Sequence, residues 1–133
     1  MIGKTLSKIL YAEDDSDILS VAKMSLEMVG GFEVCACLSG TEALDAAPEF
    51  APDMVLLDVM MPGMDGVATL EKLREDPRTA NIPVVFMTAK AMPSDVARLR
   101  ALGAADVLLK PFDPMTLPLT LKGIWANLSL AGG

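Results

Sequence analysis

Five short apolar runs, each followed by a stretch with helical spacing, set the architecture open to this chain. "KILYA" (8–12) precedes "SDILSVAKMSLEMVG", where Ile18, Val21, Ala22, Met24 and Met28 form one helical face that Gly30 ends. "FEVCACL" (32–38) precedes "GTEALDAAPEF", and "DMVLLD" (53–58) precedes a methionine-rich loop and "GVATLEKLRED". "IPVVFMT" (82–88) precedes "PSDVARLRALG", and "ADVLLK" (105–110) precedes "DPMTLPLTLKGIWANL". The central runs are continuously apolar and rich in valine, leucine and isoleucine, which marks parallel strands buried on both faces. Five such units in 133 residues, without repeats or linkers, predict one domain built on an open α/β sheet with helices on both sides. A closed eight-unit barrel needs roughly 250 residues. Residues 1–6 read as an N-terminal extension, 7–128 as the domain and 129–133 as a disordered tail.

Mean hydropathy is high, at +0.42. Yet charged residues interrupt every apolar stretch well before the ~18 residues a membrane span needs. The opening "MIGKTLSKILYAEDD" holds too short an apolar block for a signal peptide, so a cytoplasmic chain is expected. The net charge of −7 disfavours direct contact with nucleic acid or anionic lipid. With no histidine, the chain has no histidine base, no histidine metal ligand and no phosphohistidine. Cys35 and Cys37 lie two apart on a strand and share a face. They read as small core residues in a reducing compartment, because a zinc site needs more ligands than they supply.

The residues at the strand ends carry the chemistry. After "ILYA" come Glu13, Asp14 and Asp15; after "MVLL" comes Asp58; after "PVVFM" comes Thr88; after "DVLL" comes Lys110. Parallel strands present their carboxyl ends along one edge, where ligands of such folds bind. Taken singly, each residue has a plain reading. "EDDSD" suits an N-cap at Asp15, Ser16 or Asp17; Asp58 suits a cap or turn, Thr88 a strand position and Lys110 a solvated charge. Four strand ends converging on one edge point instead to a shared site. Glu13, Asp14 and Asp58 crowd negative charge there, and Lys110 answers only part of it. All-oxygen donors suit a hard ion, Mg²⁺ before Ca²⁺ or Mn²⁺. A metal, an amine and a hydroxyl around one carboxylate are equipment for phosphoryl transfer. No glycine-rich phosphate loop is present, so no bound nucleotide is expected.

The motifs "ILYAEDD", "VLLDVMMPGMDG", "VVFMTAK" and "DVLLKPF" together resemble the receiver domain of two-component response regulators, over roughly residues 7–126. The resemblance implies a flavodoxin-like fold: a doubly wound, five-stranded parallel sheet of order 2-1-3-4-5 with five helices. It implies that Asp58 accepts a phosphoryl group from a sensor histidine kinase or phosphotransfer protein. Glu13 and Asp14 match the acidic metal pair, and Met60 falls where a backbone carbonyl completes the Mg²⁺ (or Mn²⁺) sphere. Thr88 matches the hydroxyl that follows the phosphoryl group, and Lys110 the family lysine. Lys110–Pro111 matches a bond usually cis in the family. A downstream protein partner of unknown identity and a monomer or weak dimer are expected, and the acidic charge adds no direct contact with nucleic acid or membrane.

Two positions depart from the family pattern. Val107 stands where tyrosine or phenylalanine is usual, so the aromatic rotamer that reports phosphorylation is missing. Pro118 falls inside the last helix, where an interior proline is destabilising by roughly 3 kcal/mol. That helix is therefore expected to bend or start late, with Asp113 as its cap and Pro114 in its first turn. Asp65 or Gly66 is expected to open the helix after the methionine-rich loop. The alternative function is a pseudo-receiver, a protein-binding module without phosphorylation. An aspartate-nucleophile phosphatase is disfavoured because Met60 stands where its second acid belongs. Flavin binding is disfavoured by the acidic "YAEDDSD" loop.

Overall fold

The computed structural model describes residues 4–90 and 92–132, with side chains as far as residue 128. Strands β1 (Lys8–Ala12), β2 (Glu33–Cys37), β3 (Met54–Asp58), β4 (Val84–Thr88) and β5 (Asp106–Leu109) form one sheet, all neighbours parallel, in the order β2-β1-β3-β4-β5. Between them run helices α1 (Ser16–Met24), α2 (Gly40–Phe50), α3 (Gly66–Glu75) and α4 (Pro93–Ala101), and α5 (Leu117–Gly132) closes the chain. This is the flavodoxin-like arrangement expected of the sequence.

Period-two alternation divides the core between the two faces. Ile9 and Tyr11 of β1 pack with Leu19, Ala22 and Leu26 on one side and with Leu117, Leu121 and Ile124 of α5. Leu10 and Ala12 pack on the other side with Ala43 and Ala47 of α2, Leu70 and Leu73 of α3 and Leu99 of α4. Every residue of β3 and β4 is buried, as continuous apolar runs require, whereas the edge strands β2 and β5 are partly exposed.

The helix ends follow the cap residues. The Asp15 side chain accepts from the amides of Asp17 and Ile18 at the start of α1. Ser39 does the same for α2 and Asp65 for α3. Pro93 sits in the first turn of α4, where its missing N–H is harmless.

Three features differ from the sequence reading. The first helix does not keep one geometry: α1 passes into a π-helical turn over Ser25–Val29, where the buried Ser25 hydroxyl donates to the Pro114 carbonyl. Gly30 remains right-handed at its end, and Gly31 supplies the positive φ of 74°. At the other end of the chain, α5 begins at Leu117, after a turn in which the Asp113 side chain accepts from the Met115 amide. Pro118 thus lies in the first helical turn, the late start that resolves its conflict with a helix interior. The third difference is the end of α5: it runs to Gly132, so residues 129–132 continue the helix instead of forming a structureless tail, and residue 133 lies outside the described residues. Of the expected N-terminal extension, Leu6 is buried in the core, and residues 1–3 lie outside the described residues.

Candidate functional site

The sheet order reverses at β1, whose two neighbours are β2 and β3, so a crevice opens at the carboxyl ends of β1 and β3. Glu13, one residue past β1, is held by its amide, which donates to the Cys37 carbonyl at 3.0 Å and prolongs the β1–β2 ladder. Asp58 is the last residue of β3, and the next amide, Val59, donates to the Met87 carbonyl at 3.0 Å. Both carboxylates are buried; Asp14 is exposed at the mouth. Carboxylate oxygens of Glu13, Asp14 and Asp58 lie within 4.8 Å of one another.

The loop after Asp58 folds back tightly. The Gly66 amide donates to the Val59 carbonyl at 3.0 Å, and a Cβ on Gly66 would sit 2.5 Å from the Asp58 carbonyl oxygen. Only glycine lets α3 start so close beneath the site. The Met60 amide donates weakly to Asp58 Oδ1 at 3.4 Å, and the Met60 side chain is exposed.

Lys110 reaches in from the end of β5. Its amide donates to the Thr88 carbonyl at 2.8 Å, and the Lys110–Pro111 peptide is cis. Its Nζ lies 2.8 Å from Glu13 Oε1 and 3.3 Å from Asp58 Oδ2, so the ammonium is bound more closely to Glu13. The Thr88 hydroxyl turns to the chain after it: it accepts from the Lys90 amide at 3.0 Å and donates to the Lys90 carbonyl at 3.2 Å. Among the described residues it makes no hydrogen bond to Asp58. Val107 pairs in register with Phe86 and packs half-buried against the core on the α2–α3–α4 side.

The two buried acids titrate in opposite directions. Burial, then the neighbouring Glu13 charge, pushes the Asp58 carboxyl up to about 6, with Lys110 opposing only in part. Burial also presses Glu13 upward, but hydrogen bonds from Lys110 and the Asp15 amide outweigh it and hold this carboxyl below its ordinary value. For Lys110, the two acids overcome burial and raise its pKa. Sequence reasoning missed one participant: the Tyr11 hydroxyl donates to Glu13 Oε1 at 3.3 Å. Burial, Glu13 and Asp58 all raise its pKa, so it stays a neutral donor. Tyr11, near the end of β1, and Glu13, one residue past it, lie two apart, and that spacing was the available signal.

The site is thus an acidic crevice with one ammonium, oxygen donors only, and a buried carboxylate short of positive charge. That donor chemistry fits a hard divalent ion. The sequence model described as "Response regulator receiver domain" matches residues 9–122. "Response regulator Rre1" of Synechocystis sp. is 36% identical over 119 residues, which are 90% of this chain and 52% of that protein. "Transcriptional regulatory protein PrrA" of Mycobacterium bovis is 40% identical over 123 residues, 92% of this chain and 51% of that protein. The chain therefore spans about half the length of the curated relatives it matches. Among solved structures, chemotaxis protein CheY4 of Vibrio cholerae superposes with a TM-score of 0.83 at 30% identity, covering 90% of this chain and 99% of that one. Among the described residues, no helix is long and apolar enough to cross a membrane.

Proposed function

The chain belongs to the response regulator receiver domain family, and on that premise we propose that Asp58 is the residue through which this receiver takes its phosphoryl group from a histidine kinase. One observation carries the assignment. Asp58 is the buried carboxylate at the sheet's switch point, with the Lys110 ammonium 3.3 Å away and the Glu13 and Asp14 carboxylates beside it.

A carboxylate oxygen of Asp58 forms a bond to phosphorus as the P–N bond of the donor's phosphohistidine breaks. The bonding pair leaves with the imidazole nitrogen, which takes its proton from solvent. Lys110, already facing Asp58 and Glu13, neutralises charge on the transferred oxygens. Glu13, Asp14, Asp58 and the Met60 carbonyl would hold Mg²⁺ (or Mn²⁺), and such an ion supplies the positive charge that three carboxylates and one lysine leave lacking. Thr88 is released from Lys90 to donate to a phosphoryl oxygen. The chain's excess of negative charge supports a domain that meets proteins and leaves nucleic acid alone, acting in the cytoplasm through a downstream protein partner.

The test is mass spectrometry after incubation with acetyl phosphate and Mg²⁺. The wild-type chain should gain one HPO₃, and Asp58→Asn none. Equal labelling of the variant would move the acceptor elsewhere, and no labelling of the wild type would favour a pseudo-receiver.

A further inference from the structure

Cys35 and Cys37 take no part in the carboxylate site. Both point from β2 to the α2–α3 side of the sheet, where Cys37 is buried and Cys35 is half-buried. On the edge strand β2, Cys35 is the more exposed member of the pair and Cys37 lies within the apolar core. The two sulfurs lie 4.0 Å apart, a thiol–thiol contact.

That separation decides between the chemistries open to a dithiol. A disulfide needs sulfurs about 2.05 Å apart and Cα atoms no further than about 6.8 Å, the span two strand residues already reach at about 3.4 Å each. Pinching the strand is resisted by an unbroken ladder from Lys8↔Glu33 to Ala12↔Cys37 and by the bond from the Glu13 amide to the Cys37 carbonyl. A shared metal ion asks for much less movement. Two metal–sulfur bonds of about 2.3 Å span about 3.8 Å at a tetrahedral angle and about 4.6 Å with the ion in line between the sulfurs, and the observed 4.0 Å falls within that range. Among the described residues, the only cluster of three or more histidine, cysteine, aspartate or glutamate donors is Glu13, Asp14 and Asp58. The cysteine pair therefore offers two sulfurs and no further ligand of these types, too few for zinc and a match for a softer ion content with two thiolates.

We propose that Cys35 and Cys37 form a two-sulfur site for a soft monovalent cation of the copper(I) class. Binding displaces one proton from each thiol, forms two metal–sulfur bonds and leaves the ion's oxidation state unchanged. The domain thus sorts metals by hardness: divalent oxygen-seeking ions at the carboxylates, a soft ion on the edge strand.

The experiment titrates the reduced full chain without oxygen, using copper(I) in competition with the chromophoric chelator bicinchoninate. The wild type should withdraw one copper per chain, and its native mass should rise by one copper less two protons. Cys35→Ser and Cys37→Ser should each weaken binding at least about tenfold. Methionines compete as soft ligands, and Met24, Met28, Met60, Met92 and Met115 are exposed. Unchanged binding in the double serine variant would assign the ion to them and overturn the proposal. A second measurement needs no variant: copper(I) should protect Cys35 of the wild type from alkylation, whereas zinc should not. Full alkylation of Cys35 in the presence of one equivalent of copper(I) also overturns the site.

Discussion

A buried carboxylate proposed as a nucleophile is held back by its surroundings until positive charge arrives. Asp58 has an ordinary pKa of 3.8 and is pushed up to about 6 in the fold. The folded chain therefore holds a proton on Asp58 that the unfolded chain releases between about pH 4 and 6. This contribution to stability is whole below pH 4 and is lost as pH rises through 6. The amide of an Asp58→Asn variant carries no charge at any pH. Without divalent ions, the variant should match the wild type near pH 4 and exceed it by about 1–3 kcal/mol above pH 7. Thermal melts at the two pH values check this, and equal melting at pH 7.5 would show that Asp58 is not charge-starved. Asp14 differs because it is exposed, and under the proposed function its contribution comes through the ion. Asp14→Ala should lower Mg²⁺ affinity at least about tenfold, read by titration, because a direct oxygen ligand is lost. The convergence of Glu13, Asp14, Asp58 and Lys110 was legible in the sequence because each ends or follows a strand. The pairing of Lys110 with Glu13, closer than with Asp58, was not legible, since 0.5 Å between two acids on adjacent strands is decided by packing.

Elements were legible where one local signal decided them and illegible where a distant group intervened. The late start of α5 accords with Pro118, which falls in the first turn, where its missing N–H is harmless. The π-turn at Ser25–Val29 has no local mark, because its apolar spacing stays helical. It accompanies the Ser25 hydroxyl's bond to Pro114, a residue 89 positions away in sequence. Asp53 was likewise read only as part of the strand-like run "DMVLLD". It is buried as a clasp, accepting from the amides of Ser7 and Lys8 and pairing with Lys4 at 2.7 Å. The end of α2 carries a local cost that can be relieved. Ala51 has φ 52°, a left-handed conformation unfavourable for any residue with a Cβ by roughly 1–2 kcal/mol. Glycine adopts it freely but loses more entropy on folding. Ala51→Gly should therefore stabilise the domain by about 0.5–1 kcal/mol in denaturant unfolding. A destabilised variant would mean that the alanine methyl makes contacts worth more than its strain.

Across the whole molecule, the sheet separates a chemical edge from a structural one. Strand ends bearing Glu13, Asp58, Thr88 and Lys110 gather at one edge, and the Asp53 clasp ties the chain at the other. A charge change at Asp58 reaches a partner only through something that can move. Val107 cannot be that element: it is β-branched, with a restricted rotamer, and it is wedged against the core opposite Phe86. The Thr88 hydroxyl can be, because among the described residues its bonds go only to the exposed Lys90 backbone. Drawing it toward a phosphoryl oxygen breaks both bonds and frees the chain that leads into α4 at Pro93. Lys110 would follow the same charge, yet its amide stays anchored to the Thr88 carbonyl at 2.8 Å, so β5 has little to gain by shifting. With beryllofluoride and Mg²⁺ as a phosphoryl mimic, amide NMR signals from residues 87–92 should shift strongly, and those of residues 105–108 less. The largest shifts at Val107 and along α5, with a still loop after Thr88, would show that another side chain has taken the place of the absent aromatic.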